Sequence, residues 1–506
     1  MVQSFISLRQ MPSLLACLLT ITLGGCAVGP DYKAPGNESP QDWSSWSSAD
    51  PSLKMTDSHF HPLPTPWWKS FNDPVLESLI QRALTHSADL QTAALHYAQA
   101  RVQREGTAAQ QLPELNASAS AMRQRQSAHG ASARLYDELG STLSSSQSET
   151  SSLTQLLSKP YTDYQVGFDA SWEPDLWGKV RRSLESDDAD IAQQKALLGL
   201  ARLSLMSDLA RNYLTLRATQ QHIDILRSEI DVLSQRVELI QARHMAGKLN
   251  QLDLDSQQAQ LNALKAQLPT LLANEASSIN QISVLAGEHP GTLRDVLAAT
   301  NKTADVRLPD LALGIPSELA LQRPDVQAAE AQLHSATAQI GVAKTELYPS
   351  ITLTGNVGFD AYQRQDLGEW ASRSWSVGPS LYLPLFNRGR LRSVVRLREL
   401  QQQEAAVNYH QTVLKAWQDV DNSLSAYSAA QQSSGELAQQ VSHTQDAYQL
   451  AQARYSAGTT DYLAVLDAER QYLQARNDLV DSQKQTQIEF VAINKALGRG
   501  ATAENK

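Results

Sequence analysis

An internal repeat constrains what this chain of 506 residues can fold into more than any other feature. Residues 87–93 (SADLQTA) recur as residues 323–329 (RPDVQAA), and in each copy a proline follows the shared aspartate by 24 residues. Two further motifs recur in the same order: Val166-Gly167 as Val377-Gly378, and Arg243-x-x-Ala246-Gly247 as Arg454-x-x-Ala457-Gly458. Each copy joins two short alternating segments to a very long helical segment. The repeat therefore predicts a tube, in which strands form a membrane wall and helices form a shaft below it.

Four segments alternate between apolar and polar residues with a period of two, as strands with one apolar face do. They span about residues 114–123, 161–173, 350–359 and 374–385. In the second segment the apolar positions are Tyr164, Val166, Phe168, Ala170 and Trp172. A length of roughly ten residues suits a tilted membrane strand. A soluble sandwich with one wet face gives the same alternation, so the strand pattern alone leaves both interpretations open.

Two polar stretches of low complexity, at about residues 125–160 and 360–373, join these segments in pairs. Their composition predicts solvated hairpin loops, which in a membrane protein would project outside the cell. No uninterrupted apolar run reaches 18 residues, so the sequence predicts no membrane-spanning helix. Four strands alone cannot close a barrel, because their open edges would leave backbone groups unpaired in lipid. We therefore expect several copies of the chain to share one barrel, with the number of copies left open.

The long helical segments carry an apolar residue at every seventh position, which indicates coiled-coil packing. The first row is Leu209, Leu216, Ile223, Ile230 and Val237, and its companion is Leu226, Leu233 and Ile240. These rows predict a helix from about 180 to 245 and, after Gly247, a return helix to about 286. The second copy predicts the same hairpin over about 391–497, with its turn at Gly458. A helix of roughly 65 residues is about 100 Å long. An ordinary soluble helical bundle explains the heptads but not the strands.

The N-terminus has the features of an export signal that ends at a lipidated cysteine. Residues 1–25 contain Arg9 followed by an apolar stretch, and Leu23-Gly24-Gly25-Cys26 resembles a bacterial lipobox. We expect Cys26 to carry a diacylglyceryl group, and the alternative is an ordinary signal peptide with a chance cysteine. Removal of Cys17 with the signal leaves no partner for a disulfide. Ala27 in place of an aspartate favours the outer membrane.

The domain organisation follows from the repeat. We expect a lipid-anchored extended segment over residues 26–66, a first structural repeat over 67–288, an equatorial linker over 289–315, a second repeat over 316–498 and a tail over 499–506. The formal net charge of −10 argues against nucleic acid as a partner. His59 and His61 form the one close histidine pair, with no nucleophile or metal-ligand constellation in the sequence around them. The sequence therefore predicts no enzyme activity, no metal site and no cofactor beyond the lipid on Cys26.

Several motifs, taken in order, resemble the TolC-like outer-membrane efflux family, in the lipoprotein branch that serves RND-type pumps (NodT-type). They are Val28-Gly29-Pro30-Asp31-Tyr32-x-x-Pro35, Trp67-Trp68-x-x-Phe71-x-Asp73-Pro74-x-Leu76, Trp172-Glu173-x-Asp175-Leu176-Trp177-Gly178, Arg323-Pro324-Asp325-Val326, Ala329-Glu330, Ile340-Gly341-Val342-Ala343 and Tyr348-Pro349-Ser350-Ile351. Each motif is weak alone, but the resemblance covers nearly the whole mature chain.

The resemblance implies a homotrimer with a 12-stranded outer-membrane β-barrel, four strands per chain, continuous with a periplasmic α-helical coiled-coil barrel. It implies a periplasmic adaptor protein and an inner-membrane pump as partners, and a passive duct for small toxic compounds or drugs. Ducts for protein secretion or metal export have the same architecture, and a tethered coiled-coil structural lipoprotein is the alternative of another class. The sequence does not identify the transported compounds or the particular pump and adaptor.

The resemblance also implies a gate at the periplasmic end, closed at rest by the helix pairs. Asp253, Asp467 and Tyr455 match acidic and tyrosine positions of such gates, whereas Ala464 and Thr460 stand where some relatives have an aspartate and an arginine. The residues implied at the helix-tip turns and in adaptor contact are Arg243, Gly247, Arg454 and Gly458. A plainer explanation is that the carboxylates lie in first helical turns and the arginines in last turns, where each complements the helix dipole.

Overall fold

The computed structural model describes residues 27–36, 50–53, 66–127, 159–247, 249–298 and 322–501. The predicted signal peptide, Cys26, the histidine pair and most of the predicted linker lie outside the described residues. The chain forms two compact units. Unit 1 comprises the described residues among 1–32, 102–187 and 335–402, and unit 2 those among 33–101, 188–334 and 403–506.

Unit 1 contains one antiparallel sheet of four strands, in the order β1-β2-β3-β4. The strands are β1 (Glu114–Gln124), β2 (Tyr161–Trp172), β3 (Ser350–Ala361) and β4 (Arg373–Tyr382). The alternation of period two therefore located all four strands. The predicted C-terminal end of the last strand was wrong, because β4 ends at Tyr382 rather than at residue 385. Pro384 follows, and a proline has no N–H to donate to a strand partner.

Helices make up most of the described chain. They are α1 (Pro74–His86), α2 (Ala88–Ala109), α3 (Lys179–Met245), α4 (Gln251–Leu285), α5 (Arg294–Ala298), α6 (Pro324–Thr345), α7 (Arg390–Ser456) and α8 (Tyr462–Ala496). The repeat is exact in length: α3 and α7 each have 67 residues, α4 and α8 each have 35, and α2 and α6 each have 22. None of the described helices is long and apolar enough to cross a membrane.

The heptad rows form the packed interior of unit 2. Leu209 and Leu216 are fully buried, and Leu226, Leu233 and Ile240 of the companion row are nearly so. The core also holds an aromatic group that the heptads do not predict: Trp67, Trp68, Phe71, Tyr427 and Phe490. Edge-to-face ring contacts, such as that of Phe71 with Phe490 at 5.7 Å between centroids, fit these rings together.

Part of the predicted linker is structured. Helix α5 lies within it, and Leu293 and Leu297 are buried in the core of unit 2. Arg217 and Gln220 of α3 donate hydrogen bonds to the Leu297 carbonyl at 3.1 and 2.9 Å, which satisfies the end of this short helix. The predicted equatorial linker is therefore an incomplete description of residues 289–298.

The first described residues are held against unit 1 by a buried arginine. Arg182, with 5% of its side chain exposed, donates to Asp31 at 2.6 Å and to the Val28 carbonyl at 3.3 Å. Gly29 has a φ of +112°, and a Cβ there would lie 2.5 Å from the Cα of Gly341. The close approach of two glycines explains the motifs at Val28-Gly29 and Ile340-Gly341 as a packing contact. It fixes the chain a few residues after the predicted lipid attachment site.

This contact predicts opposite effects for two glycine-to-alanine changes in helices of equal length. A Cβ on Gly341 would lie 2.8 Å from Cγ of Arg182 and 2.9 Å from the Val28 carbonyl, whereas a Cβ on Gly106 meets nothing within 4 Å. We expect Gly341→Ala to lower the free energy of unfolding by about 1–3 kcal/mol through overpacking. We expect the control Gly106→Ala to raise it by about 0.5–1 kcal/mol through helix propensity. Thermal unfolding followed by circular dichroism measures both, and equal effects would contradict the packing argument.

Candidate functional site

The sheet of unit 1 has one face that is almost entirely apolar. Residues that pair directly across antiparallel strands lie on the same face, so the strand register shows which side chains belong to each face of the sheet. The exposed members of this face are Leu115, Val166, Phe168, Leu353, Val357, Trp375, Val377 and Leu381, each between 43% and 70% exposed. A contiguous apolar surface of this kind in a folded protein marks a membrane or partner surface.

The opposite face is polar and acidic. Gln165 pairs with Asp360 and Asp169 with Asn356, and the Ser376 N–H donates to the Asn356 side chain at 2.9 Å. Among the described strand residues, this face carries four carboxylates and no lysine or arginine. The four carboxylates are Glu114, Asp163, Asp169 and Asp360. One sheet thus presents an apolar surface on one side and a polar, negatively charged surface on the other.

Two motifs beside these elements have structural roles. In unit 1, the Trp177 indole donates to the Pro349 carbonyl at 2.7 Å, and its ring stacks on Tyr348 at 4.9 Å. In unit 2, Arg323 donates to Asp325 at 2.7 Å, to Asp419 at 3.0 Å and to the Ala496 carbonyl at 2.9 Å. The arginine thereby joins α6, α7 and the C-terminal end of α8. These structural contacts are sufficient to explain the Arg323-Pro324-Asp325-Val326 motif.

Each long helical hairpin of unit 2 turns at a glycine. Gly247 and Gly458 have φ values of +71° and +72°, and a Cβ on either meets nothing within 4 Å. The left-handed conformation, rather than lack of space, therefore selects glycine. Asn250 and Asp461 cap the return helices by accepting from the N–H of Asp253 at 2.8 Å and of Ala464 at 3.1 Å.

The predicted gate residues lie near these turns but do not bond to one another. Asp253 is half-buried in the first turn of α4, as the helix-dipole alternative proposed. That alternative is wrong for Asp467, which lies in the second turn of α8 and pairs with Arg470 at 3.8 Å. The Tyr455 ring packs on Tyr462 at 5.1 Å. Within the described residues, no hydrogen bond or ion pair joins Asp253, Asp467 and Tyr455.

The predicted tip residues Arg243 and Arg454 are exposed in the last turns of α3 and α7. These are the positions at which a cation complements the helix dipole. The Arg454 carbonyl accepts from both the N–H and the hydroxyl of Thr459, each at 3.0 Å. The side chains of both arginines remain available at the surface, which is also what a contact with an adaptor requires.

An ion pair near the tips was not predicted from the sequence. Arg236 of α3 forms a bidentate pair with Glu469 of α8, with Nη2 to Oε1 at 2.8 Å, and both side chains are 16% exposed. The Tyr448 hydroxyl of α7 donates to the same Glu469 oxygen at 3.0 Å. The hydrogen bonds that Arg236 donates to Glu469 raise the pKa of Arg236, so its guanidinium stays charged. It joins three helices of unit 2.

A second carboxylate lies two turns earlier on α3. One side-chain oxygen of Glu229, Oε1, is buried and has no hydrogen-bond partner among the described residues. Burial raises the pKa of Glu229 to about 7, and the nearby charge of Glu469 acts in the same direction, whereas Arg476 opposes both. The protonation of this half-buried side chain therefore changes close to neutral pH. Among the described residues, no three histidine, cysteine, aspartate or glutamate side chains form a metal-binding group.

Comparisons with known proteins agree on one family. A family model described as "Outer membrane efflux protein" matches residues 79–288 and 315–499. The pyoverdine export outer membrane protein OpmQ of Pseudomonas putida is 31% identical over 490 residues, covering 97% of this chain and 98% of that protein. The probable outer membrane lipoprotein SilC of Salmonella typhimurium is 27% identical over 489 residues, covering 96% and 98%. The solved outer-membrane channel OprN has a TM-score of 0.76 at 31% identity, covering 94% of this chain and 100% of that one.

Removal of the arginine from the buried ion pair near the tips should destabilise the protein strongly, whereas removal of the arginine from an exposed ion pair should not. Arg236→Ala leaves Glu469 charged and half-buried, and we expect a loss of about 2–3 kcal/mol in unfolding free energy. Arg470→Ala removes an exposed pair and should cause no measurable change. Denaturant unfolding measures both. The double variant R236A/E469A should lose less than the two single losses added, and strict additivity would show that the pair does not couple the helices.

The raised pKa of Glu229 predicts a pH-dependent effect. Because the folded-state pKa exceeds the usual 4.5, the associated stability is complete below about pH 4.5 and is lost as the pH rises through about 7. We expect Glu229→Gln to raise the unfolding free energy by about 1 kcal/mol at pH 8, allowing for solvent screening, and to leave it unchanged at pH 4.5. Thermal unfolding at the two pH values measures this, with Glu238→Gln, an exposed position on the same helix, as control. A gain of equal size at both pH values would contradict the pKa argument.

Proposed function

We propose that this chain, which belongs to the outer membrane efflux protein family, is the outer-membrane channel of a tripartite efflux system. It is located in the outer membrane of a Gram-negative bacterium. The observation that carries the proposal is the two-faced sheet, because a wall between lipid and a water-filled lumen needs one apolar and one polar surface. The protein conducts passively and catalyses no reaction, takes no cofactor, and receives its cargo from its partners.

The sheet is completed by other copies of the chain. Strands β1 and β4 are the edges of the four-stranded sheet, and unpaired edge groups in lipid cost several kcal/mol each. Closed membrane barrels have about eight strands or more, so at least two copies are required. The family resemblance supports three, which gives a homotrimer with a 12-stranded barrel. The long helices of the three copies would then form the coiled-coil barrel in the periplasm.

The N-terminal lipid is proposed to attach the chain to the membrane, and the helix tips to attach it to its protein partners. A diacylglyceryl group on Cys26 would enter the membrane close to the point at which Arg182 holds Val28 and Asp31. The turns at Gly247 and Gly458, with the exposed Arg243 and Arg454, are the proposed contact for a periplasmic adaptor protein. The inner-membrane partner is proposed to be an RND-type pump, and the cargo to be small toxic compounds or drugs.

The resting channel is proposed to be closed near the tips by a ring of repeated side chains. Asp253, Asp467 and Tyr455 contribute to it once in each copy of the chain. A carboxylate repeated around a symmetry axis makes a negative constriction that attracts cations. The acidic polar face of the sheet has the same sign, so the open duct should favour cations over anions.

Conductance in planar lipid bilayers tests this function. The wild-type protein is expected to conduct weakly at rest, and D253A/D467A to conduct more, because the shorter alanine side chains widen the resting constriction. The double variant E436A/D446A is the control, since both carboxylates are exposed on α7. No conductance from any variant would contradict the channel and favour a tethered structural lipoprotein. Equal conductance of wild type and D253A/D467A would remove these two residues from the gate.

A further inference from the structure

The two hairpins of the sheet have the same register. Glu114 of β1 pairs with Ser171 of β2. In the second repeat, the counterpart of a β1 residue lies 236 positions further on and that of a β2 residue 211 positions further on, as Pro113 and Val166 relate to Pro349 and Val377. Applied to the first pair, these offsets give Ser350 with Tyr382, which is the pairing that β3 and β4 make. The repeat therefore preserves strand pairing to the residue.

Strand pairing between the two repeats occurs once within the chain, at the centre of the sheet, and the two edges of the sheet remain unpaired within the described residues. Strand β2 of the first repeat pairs with β3 of the second, whereas the outer edges of β4 of the second repeat and of β1 of the first have no partner among the described strands. A second copy of the chain would supply both missing partners. The pair Asp169 and Asn356 then maps, with the same two offsets, onto Ser380 of one copy and Ser120 of the next.

We propose that β4 of one copy pairs with β1 of the next copy in a single register, in which Ser380 lies opposite Ser120. The proposal rests on the proposed function, because it requires copies of the chain to share one sheet. The register keeps the two faces intact. Leu381, on the apolar face of β4, comes opposite Ala119 on the apolar face of β1. A slip by one residue would turn an apolar row towards the polar side.

A second contact at the same junction supports the choice of partner. Inside the chain, the segment after β2 packs on the residues before β3: Trp177 stacks on Tyr348 at 4.9 Å and donates to the Pro349 carbonyl. The corresponding segment after β4 contains two apolar side chains that are each 86% exposed, Leu385 and Phe386. They precede Arg388, which is the counterpart of Trp177 by the same offset.

The place that such a segment would cover is also exposed. Leu112, which precedes β1 as Tyr348 precedes β3, is 70% exposed and is followed by Pro113. In the proposed register, Leu385 and Phe386 of one copy pack on Leu112 and Pro113 of the next. Both apolar groups would thereby be covered by a second copy of this chain, at the junction equivalent to the one where Trp177 covers Tyr348 within the chain.

Cysteine cross-linking of the full-length lipoprotein in outer membranes tests the register. The mature chain has no cysteine other than the predicted lipidated Cys26. Directly opposite residues lie within the Cα distance that a disulfide spans, about 4.4–6.8 Å. We expect S120C/S380C to give covalent oligomers on oxidation and each single variant to give none. D169C/N356C, the equivalent pair inside one chain, should oxidise without forming oligomers. L112C/F386C should also link copies.

The controls separate this proposal from the channel function. S118C/S380C and M122C/S380C place the cysteines two residues out of register and should link much less. A cross-link at either of these in preference to Ser120 would overturn the register, and absence of the L112C/F386C link would overturn the packing of the exposed segment. Absence of all links between copies, while D169C/N356C oxidises and the wild type conducts, would overturn the proposal and leave the channel standing. Loss of conductance in the wild type would instead contradict the function.

Discussion

Backbone hydrogen bonding at the two edges of the sheet determines what the rest of this chain must provide. Each edge strand presents a row of N–H and C=O groups, and in lipid these groups have no water to bond. The apolar face, with Phe168 and Trp375 more than half exposed, places the sheet in that solvent. In the proposed channel, a sheet with such a face and two open edges is therefore one part of a closed wall. The equal lengths of α3 and α7, and of α4 and α8, give both repeats the same helical frame.

The two repeats have the same backbone geometry, but their charged side-chain contacts differ. Turn glycines, helix caps and strand register are the same in both halves, because each is dictated by backbone conformation. Charged contacts differ. The counterpart of Arg236 in the second repeat is Ala447, and the counterpart of Glu469 in the first is Gln258. The ion pair thus needs one residue from each half, and it forms only because the first long helix of one repeat packs on the return helix of the other.

The sequence predicted those parts of the structure that depend on local periodicity. The period of two located all four strands, and the heptads located the long helices and their buried rows, such as Leu209 and Leu216. Contacts between distant segments left no such signal. Arg236 and Glu469 are separated by 233 positions, and neither residue stands out from the other charged residues of its helix. Helix α5 was missed because five residues are too few to show a helical period. The domain limits and the gate residues stay predictions.

Two ion pairs near the tips differ in their contribution to stability, and this difference matters for the closed state of the proposed channel. Arg470 and Asp467 are 78% and 69% exposed, and a surface pair of this kind contributes at most about 1 kcal/mol. Arg236 and Glu469 are 16% exposed, share two hydrogen bonds and hold Tyr448 as well. Separation of α3 from α8 at this level has to break the buried pair and leave two charges partly desolvated, which costs several kcal/mol. In the proposed channel, opening of the tips would therefore be opposed more by this link between helices than by the exposed carboxylate Asp467, and an adaptor that opened the channel would have to supply contacts that compensate for it.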